Sequence, residues 1–596
     1  MSVHQTLRLY TTAEKFLVTA TSSSGSIEEV LLIDRLSREV SLSRGSTKLP
    51  LDATSSVIYG IFGIVNLIAG PYLIVITKRS QTGSVNGEAI WRVEETQVLP
   101  FSKTVLHLTE TQKAHNKQYL SMITNALDTP QYYFSYTYDL THTLQRLYNT
   151  SPEFASFHLW ERSDERFLWN RHLLSPLTSN PELGRFALPI LHGFVAIKEA
   201  IVKGETFNYV LISRRSIFRA GCRYYMRGID EEGNAANYVE TEQIVEFPSG
   251  QKNSFVQTRG SMPFYWNQYP NLKYKPKPLI EGNQISTTKG FNKHFDSQFF
   301  HYGRQILLNL VDQKGSEGRL EQTFAHNASA IGKNVKYVAF DFHKECSKMR
   351  WYRLSILIDA VTEDQNAMGY FSVSPRKSPL PTKTQEGIFR TNCIDCLDRT
   401  NVVQSLLARC SLETQLKDLD ILDQHEKLID QELFEFVFKN TWADNADAMG
   451  IQYTGTPALK TDFTRTGART KWGLLKDGWN SAVRYLKNNF YDGTRQDSID
   501  LILGNYLVES TEGLQKPCPL ETKERDRKLT ALPLILLASF ALCVFSLYIP
   551  AEFSLKVFYF FFFWLLVALL SMALMLQNGK EFVDQPRLVP VKEKKE

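Results

Sequence analysis

The sequence predicts a mixed α+β and α/β architecture in three parts, and three observations carry that prediction. About the first hundred residues run in short stretches rich in Val, Ile and Thr. From about residue 113, helix-like segments alternate with short apolar strands, and near the C-terminus lie two uncharged runs of membrane-spanning length. The expected chain is a β-rich N-terminal domain packed on an α/β domain, followed by a transmembrane helical hairpin.

Residues 1–112 form the expected β-rich domain, as in "EEVLLIDRLSREVSLS" and "AIWRVEETQVLPF". The apolar run at 57–76, "VIYGIFGIVNLIAGPYLIVI", has the length of a further span, but Gly-Pro interrupts it and Asn66 sits inside it. It is expected to be two buried strands joined by a turn. Residues 113–505 form the α/β domain, with helical "EKLIDQELFEFVFKNTW" beside strand-like "KYVAFDFH" and "FNYVLIS". Residues 506–528, polar with two prolines, read as a flexible linker with an r.m.s. span of about 25 to 30 Å. Residues 529–549 and 557–576 are the two expected transmembrane helices, and the seven residues between them make a hairpin. Lys523, Arg525, Arg527 and Lys528 precede it while Lys580, Arg587, Lys592, Lys594 and Lys595 follow it, so both flanks read as cytosolic and 577–596 as a cytosolic tail.

At 596 residues the chain exceeds one compact core. Its net charge is only +5, from 68 basic and 63 acidic residues, so attraction to an anionic surface must come from local patches, and no nucleic-acid partner is expected. Seven scattered cysteines make no disulfide framework and point to reduced thiols. The N-terminus, "MSVHQTLRLYTTAEKF", lacks the apolar stretch of a secretory signal.

The stretch "NCIDCLDRTN", 392–401, concentrates the chemistry. Cys393 and Cys396 form a Cys-x-x-Cys pair, which suits half of a zinc site or a redox dithiol. A structural zinc site needs four ligands, and only the pair His343 and Cys346 in "DFHKEC" offers a partial match. A dithiol leaves Arg399 unexplained. A phosphate-binding loop uses more of the residues: "GIFR" suits a strand and "TNVVQSLLARCSL" a helix, so the stretch lies between them. A loop there points backbone N–H groups into a nest at a helix N-terminus, suited to a phosphate dianion. The same field makes Cys393 a thiolate nucleophile. Arg399 is placed to clamp two phosphate oxygens, and Thr400 to hydrogen-bond the thiolate or position a water. Two carboxylates beside a dianion repel it unless one is protonated, the state a general acid needs. Asp395 is the first candidate for that acid and Asp398 the second; either could instead hold the loop by accepting N–H bonds. Cys396 is expected to be structural. On this reading the α/β domain is cysteine-phosphatase-like, and no cofactor is expected.

The whole string "RTNCIDCLDRTN" resembles the signature of the Sac-domain phosphoinositide phosphatases. "FRAGCRYYMRGIDEEGNAANYVETEQI", "SFVQTRGSMPFYW", "NLVDQKGSE", "FDFH" and "GTPALKTDFTRTGART" resemble further blocks of that family in the same order. The similarity runs from roughly 50 to 505, which makes 113–505 a Sac catalytic domain. With its terminal hairpin the chain is similar to the endoplasmic-reticulum integral-membrane branch. That resemblance implies removal of phosphate from phosphatidylinositol 4-phosphate, and also 3-phosphate, without a metal, with Cys393 as nucleophile and Arg399 as clamp. A catalytically silent phosphoinositide-binding scaffold is the alternative.

Residues 460–487 carry seven Lys or Arg against two Asp, with Phe463, Trp472, Trp479 and Tyr485 between the charges. Basic and aromatic together suit a lipid headgroup next to an interface, and Lys460, Arg465 and Arg469 are the candidate substrate-binding residues. "RRSIFRAGCRYYMRG" carries five arginines and no acid, a second candidate for phosphate. His343 reads as a core histidine. The final "KEKKE" places Lys592 and Lys594 as a lysine pair like those read by retrograde coat proteins, which implies an endoplasmic-reticulum membrane protein cycling to the Golgi.

Overall fold

The computed structural model describes residues 2–22, 26–43, 53–332, 334–347, 350–374, 380–466, 470–521, 527–548 and 554–588. Its N-terminal strands, Leu7–Thr11, Lys15–Thr21, Ile27–Asp34, Val40–Ser43 and Thr54–Ile58, form one antiparallel five-stranded sheet. Alternation places Leu7, Leu9, Phe16, Val18, Leu31 and Ile33 on its inner face, against Ile64, Leu73 and Leu174 of the next layer.

The second sheet has twelve strands among the described residues. Its antiparallel part runs through Ile61–Leu67, Gly70–Val85, Glu88–Pro100, Tyr132–Phe134, Leu191–Val202, Glu205–Arg215, Val239–Glu246 and Lys252–Arg259. Gly387–Asn392 then joins Lys252–Arg259 in parallel, and Arg304–Asn309 and Val335–Ala339 continue in the same direction. Gly387–Asn392 is buried along its whole length, as a central parallel strand should be.

The run at 57–76 is a strand hairpin: Leu67 pairs with Gly70, and Gly70 takes the positive φ of 107° that the tight connection requires. The boundary expected at 112 falls inside the large sheet, because Glu88–Pro100 pairs with Tyr132–Phe134. The break between sheets comes earlier, after Thr54–Ile58. Strand composition identifies strands but not their partners, which is why the boundary was misplaced.

The stretch expected to be a flexible linker is packed where it is described. The Gln112 side-chain amide donates to the carbonyls of Ser510 at 3.2 Å and Glu512 at 3.1 Å, and the Tyr119 and Tyr506 hydroxyls each donate to the Glu512 carboxylate at 2.7 Å. Tyr506, Cys518 and Leu520 are buried with Tyr119 in one core cluster. Three anchors spaced among polar residues are enough to fix a segment whose composition reads as linker.

The helices Arg527–Tyr548 and Leu555–Gln577 pack on each other, and both are long and apolar enough to cross a membrane. After the second, residues 579–588 turn back onto the helices Lys471–Phe490 and Asp492–Ile502. Asp584 N–H donates to Asn489 O at 2.7 Å, Thr494 N–H donates to the Asp584 carboxylate at 2.7 Å, and the N–H groups of Arg587 and Leu588 donate to the Asp497 carboxylate at 3.0 Å. Lys592 and Lys594 lie outside the described residues.

Burial pushes the Asp497 carboxyl up to about 7, against the lowering effect of the two N–H donors. A carboxyl raised in the folded state contributes stability that is complete below its unfolded pKa and is lost as pH rises through the folded one. The full chain is therefore expected to lose thermal stability between about pH 5 and about pH 8, and Asp497→Asn, which keeps an acceptor without the charge, to flatten that loss. Thermal unfolding at the two pH values checks it; an unchanged slope in the variant contradicts it.

Candidate active site

Four parallel strands, Lys252–Arg259, Gly387–Asn392, Arg304–Asn309 and Val335–Ala339, end on the same side of the large sheet. Ligands bind beyond the carboxyl ends of such strands, because the connections there supply loops and helix N-termini. A pocket of about 300 Å³ lies there, lined by Cys393, Asp395, Asp398 and Arg399 with Glu317, Lys460 and Arg484.

Cys393 follows Gly387–Asn392 directly, and the helix Asp398–Asp418 begins five residues later. The loop closes on the sulfur: Cys396 N–H donates to Cys393 Sγ at 3.2 Å and the Thr400 hydroxyl lies 3.5 Å from it. Burial raises the Cys393 thiol, but the hydrogen bonding from Cys396, the Arg399 charge and the Thr400 hydroxyl outweigh it and hold the group well below the ordinary thiol value. Burial and the neighbouring sulfur drive Cys396 the other way, well above it. Its neutral thiol donates to Gly260 O at 2.9 Å, and its backbone takes φ 53°, a conformation rare for a side-chain-bearing residue and typical of a constrained functional loop.

Asp395 does not occupy the environment of a general acid. Arg223 grips its carboxylate at 2.9 and 2.7 Å, and Arg227 donates to it at 2.7 Å and to Ile394 O at 2.8 Å. Burial raises the carboxyl, but the two guanidinium groups pull it far below the carboxylate range, so it stays ionised. The expectation that Asp395 holds the proton is corrected on that ground: its environment stabilises the charge and fixes the loop. Asp398 is different. Burial raises it, with only Arg484 and the Leu459 N–H, at 3.1 Å, acting in the opposite direction.

Arg399 is held by Leu310 O at 3.0 Å, Asp312 at 3.3 Å and Glu317 at 3.6 Å. Glu317 is itself raised, by burial first. His343, expected in the core, is exposed, with Nδ1 2.6 Å from the Asp312 carboxylate. Lys460 lines the pocket, whereas Arg465 pairs with Asp444 at 2.7 Å and Asp447 at 3.3 Å and is committed to carboxylates of the neighbouring helix Glu432–Thr454. Arg469 lies outside the described residues.

Several site residues escaped the sequence reading. Arg223 and Arg227 were visible only as members of a basic run, and Arg214, in the same run, is fully buried against Glu240 and Glu242. Asp312 and Glu317 arrive from the end of Arg304–Asn309, a placement that only the parallel pairing reveals. Arg259 is fully buried, and its guanidinium nitrogens find no partner among the described residues. Burial lowers it to about 10, while the charges of Cys396 and Cys393 favour its ionised form.

Replacing Asp395 by Asn removes the carboxylate that pairs with buried Arg227 and part-buried Arg223, at a cost of about 3 to 5 kcal/mol. Asp395→Asn is expected to lower the thermal midpoint and to depress turnover of a lipid substrate and of an activated aryl phosphate alike. A stable variant impaired only on the poor leaving group would return the acid role to Asp395.

A model of the SacI homology domain matches residues 59–347. The chain is 51% identical to phosphatidylinositol-3-phosphatase SAC1-B of Danio rerio, over 99% of each chain. It is 44% identical to phosphatidylinositol-3-phosphatase SAC1 of Drosophila melanogaster, over 99% of this chain and 98% of that one. With the protein of the same name from Saccharomyces cerevisiae it shares 37%, over 92% and 88%. Identity of this degree, maintained from the first sheet through the cysteine loop to the apolar hairpin, means that the chain belongs to the SAC1 family of phosphoinositide phosphatases.

Proposed function

We propose that the protein is anchored by its helical hairpin and hydrolyses phosphatidylinositol 4-phosphate, and also 3-phosphate, to phosphatidylinositol through a phosphocysteine intermediate, without a metal. The observation that carries this reading is the depressed Cys393 thiol at the foot of a pocket that Arg399 also lines. The name of the Danio, Drosophila and yeast relatives, phosphatidylinositol-3-phosphatase, supports the 3-phosphate.

In the first step the Cys393 thiolate attacks phosphorus. The S–P bond forms, the P–O bond to inositol breaks, and the leaving oxygen takes the proton of Asp398. In the second step water attacks phosphorus, the S–P bond breaks, and ionised Asp398 accepts the proton of the water, releasing inorganic phosphate and regenerating the thiolate. Arg399 has to turn from Asp312 and Glu317 to the phosphoryl oxygens, exchanging carboxylate partners for a dianion. Asp398 suits the acid role because burial favours its neutral form, while Thr400 steadies the sulfur. Lys592 and Lys594 would return the protein from the Golgi to the endoplasmic reticulum by binding retrograde coat proteins, and their replacement by Ala would shift its steady-state location.

The test is phosphate release by the full chain in vesicles containing phosphatidylinositol 4-phosphate, with EDTA present. Cys393→Ser is expected to abolish release, and Cys393-independent release would sink the mechanism. Asp398→Asn is expected to lower turnover of the lipid about 100-fold and of an activated aryl phosphate far less, since a good leaving group needs no proton. Because the Asp398 pKa is raised, the acid form persists upward in pH and turnover falls as it is lost; Asp398→Asn is expected to remove that alkaline limb. A limb that survives in Asp398→Asn assigns the proton to another group, Glu317 first.

A further inference from the structure

The helix Lys471–Phe490 is built inside out. Besides Gly473, it buries Asn480, Arg484, Asn488 and Asn489. The face it turns outward is apolar: Trp472 is 82% exposed, Leu475 66% and Trp479 71%, with Leu486 and Phe490 also exposed. At about 100° per residue these five fall on one stripe, the reverse of the pattern of a helix packed on a soluble core. Exposed Lys471 and Lys476 lie beside it. A contiguous exposed apolar stripe that carries two tryptophans marks an interaction surface.

The surroundings of the stripe identify what covers it. The second apolar helix ends at Gln577, and Gly579 packs directly against the Asn271 backbone, so the membrane boundary lies within about 7 Å of chain from the catalytic domain. Asp584 then bonds to Asn489, inside the final turn of the inside-out helix itself. The loop that receives Gly579 is pinned to the same helix: Tyr485 donates to Leu272 O at 2.7 Å, and Leu272 N–H donates to Asn489 Oδ1 at 3.2 Å. That loop exposes Lys273, Tyr274, Lys275 and Lys277. Tyr274 and Lys275 from the loop, with Arg484 and Tyr485 from the helix, line the catalytic pocket. An apolar stripe, tryptophans and lysines around one opening, beside the end of a membrane span, have the chemistry of the bilayer interface: rings and aliphatic chains at headgroup level, ammonium groups among lipid phosphates.

We propose that the outward stripe of helix Lys471–Phe490, together with the lysines of the 273–277 loop, docks on the bilayer that the hairpin crosses and seats the mouth of the catalytic pocket among the lipid headgroups. The docking does not depend on the phosphatase mechanism and is read separately from it. The catalytic domain then works on its own membrane because it is attached there at both flanks of the hairpin and lies down on it through this helix.

The full chain is reconstituted in vesicles of phosphatidylcholine and phosphatidylserine, the phosphatidylcholine either plain or brominated on its acyl chains. Subtracting the emission of a Trp472→Phe, Trp479→Phe variant isolates the two stripe tryptophans from Trp564 and the others. The isolated emission is expected to be blue-shifted and quenched by the brominated lipid. Unquenched emission overturns the proposal. So does a dimer, seen by sedimentation in detergent, that Trp472→Ser with Leu475→Ser and Trp479→Ser dissociates, since a second copy would then cover the stripe. In a second arm, that triple Ser variant is expected to lower the ratio of turnover on bilayer substrate to turnover on short-chain monomeric substrate about ten-fold, from the lost burial of three apolar side chains. An unchanged ratio also overturns it. Quenching in an inactive protein would support the docking while refuting the mechanism, so the two failures are distinguishable.

Discussion

The ion cluster of Asp395 with Arg223 and Arg227 is the constraint on which the site depends. The loop turns the Cys396 N–H onto the Cys393 sulfur, and a loop of that shape has little reason to hold itself together when empty. The cluster supplies the reason from outside: the two arginines fix the Asp395 side chain, Arg227 also fixes the Ile394 carbonyl, and Asn237 donates to the Asp395 carbonyl at 3.0 Å. The loop is thereby pre-organised, and the energy of forming it is supplied by folding and not by substrate binding. The same arrangement explains the division of labour between two aspartates three positions apart. Asp395 faces two cations that hold it in its charged form, while burial raises Asp398 against the opposing charge of Arg484.

The stretch that carries the two arginines is in turn held by groups from other elements. Tyr453 donates to Met226 O at 2.8 Å, Gln496 accepts from Cys222 N–H at 2.9 Å, and the Tyr225 hydroxyl donates to the carbonyl of Asp584. Asp584 belongs to the segment that follows the second apolar helix. The segment after the second apolar helix is therefore bonded, through Tyr225, to the stretch of chain that carries Arg223 and Arg227. The segments flanking the hairpin are structural parts of the catalytic domain: one packs on Glu110–Leu127, the other on Asp492–Ile502, and Arg587 joins them by donating to Leu520 O at 2.9 Å.

How much of this was legible in the sequence follows from the range of the interactions. The strand, loop and helix around Cys393 are contiguous, so their residue types sufficed to propose a nest, a thiolate and a clamp. The spans were legible because a run of some twenty uncharged residues is decided by composition alone. What composition could not supply was partnership across the chain. Asp395 meets Arg223 across more than 170 intervening positions, and nothing local distinguishes it from Asp398. Arg465 looked like a phosphate ligand until Asp444 and Asp447 appeared beside it, and 506–521 looked like a linker until Tyr119 and Gln112 did. The outward face of Lys471–Phe490 was legible as aromatic and basic, but its inversion became visible only when the buried face proved to be the polar one.

The proposed mechanism requires Cys393 to carry the phosphoryl group. Rapid acid quench of the full chain turning over phosphatidylinositol 4-phosphate, followed by mass spectrometry of the peptide that contains 393–399, tests it most directly. A transient peptide heavier by one phosphoryl group is expected, with the modification on Cys393 sulfur. Turnover without any modified Cys393, or with the phosphoryl group on another side chain, would contradict it.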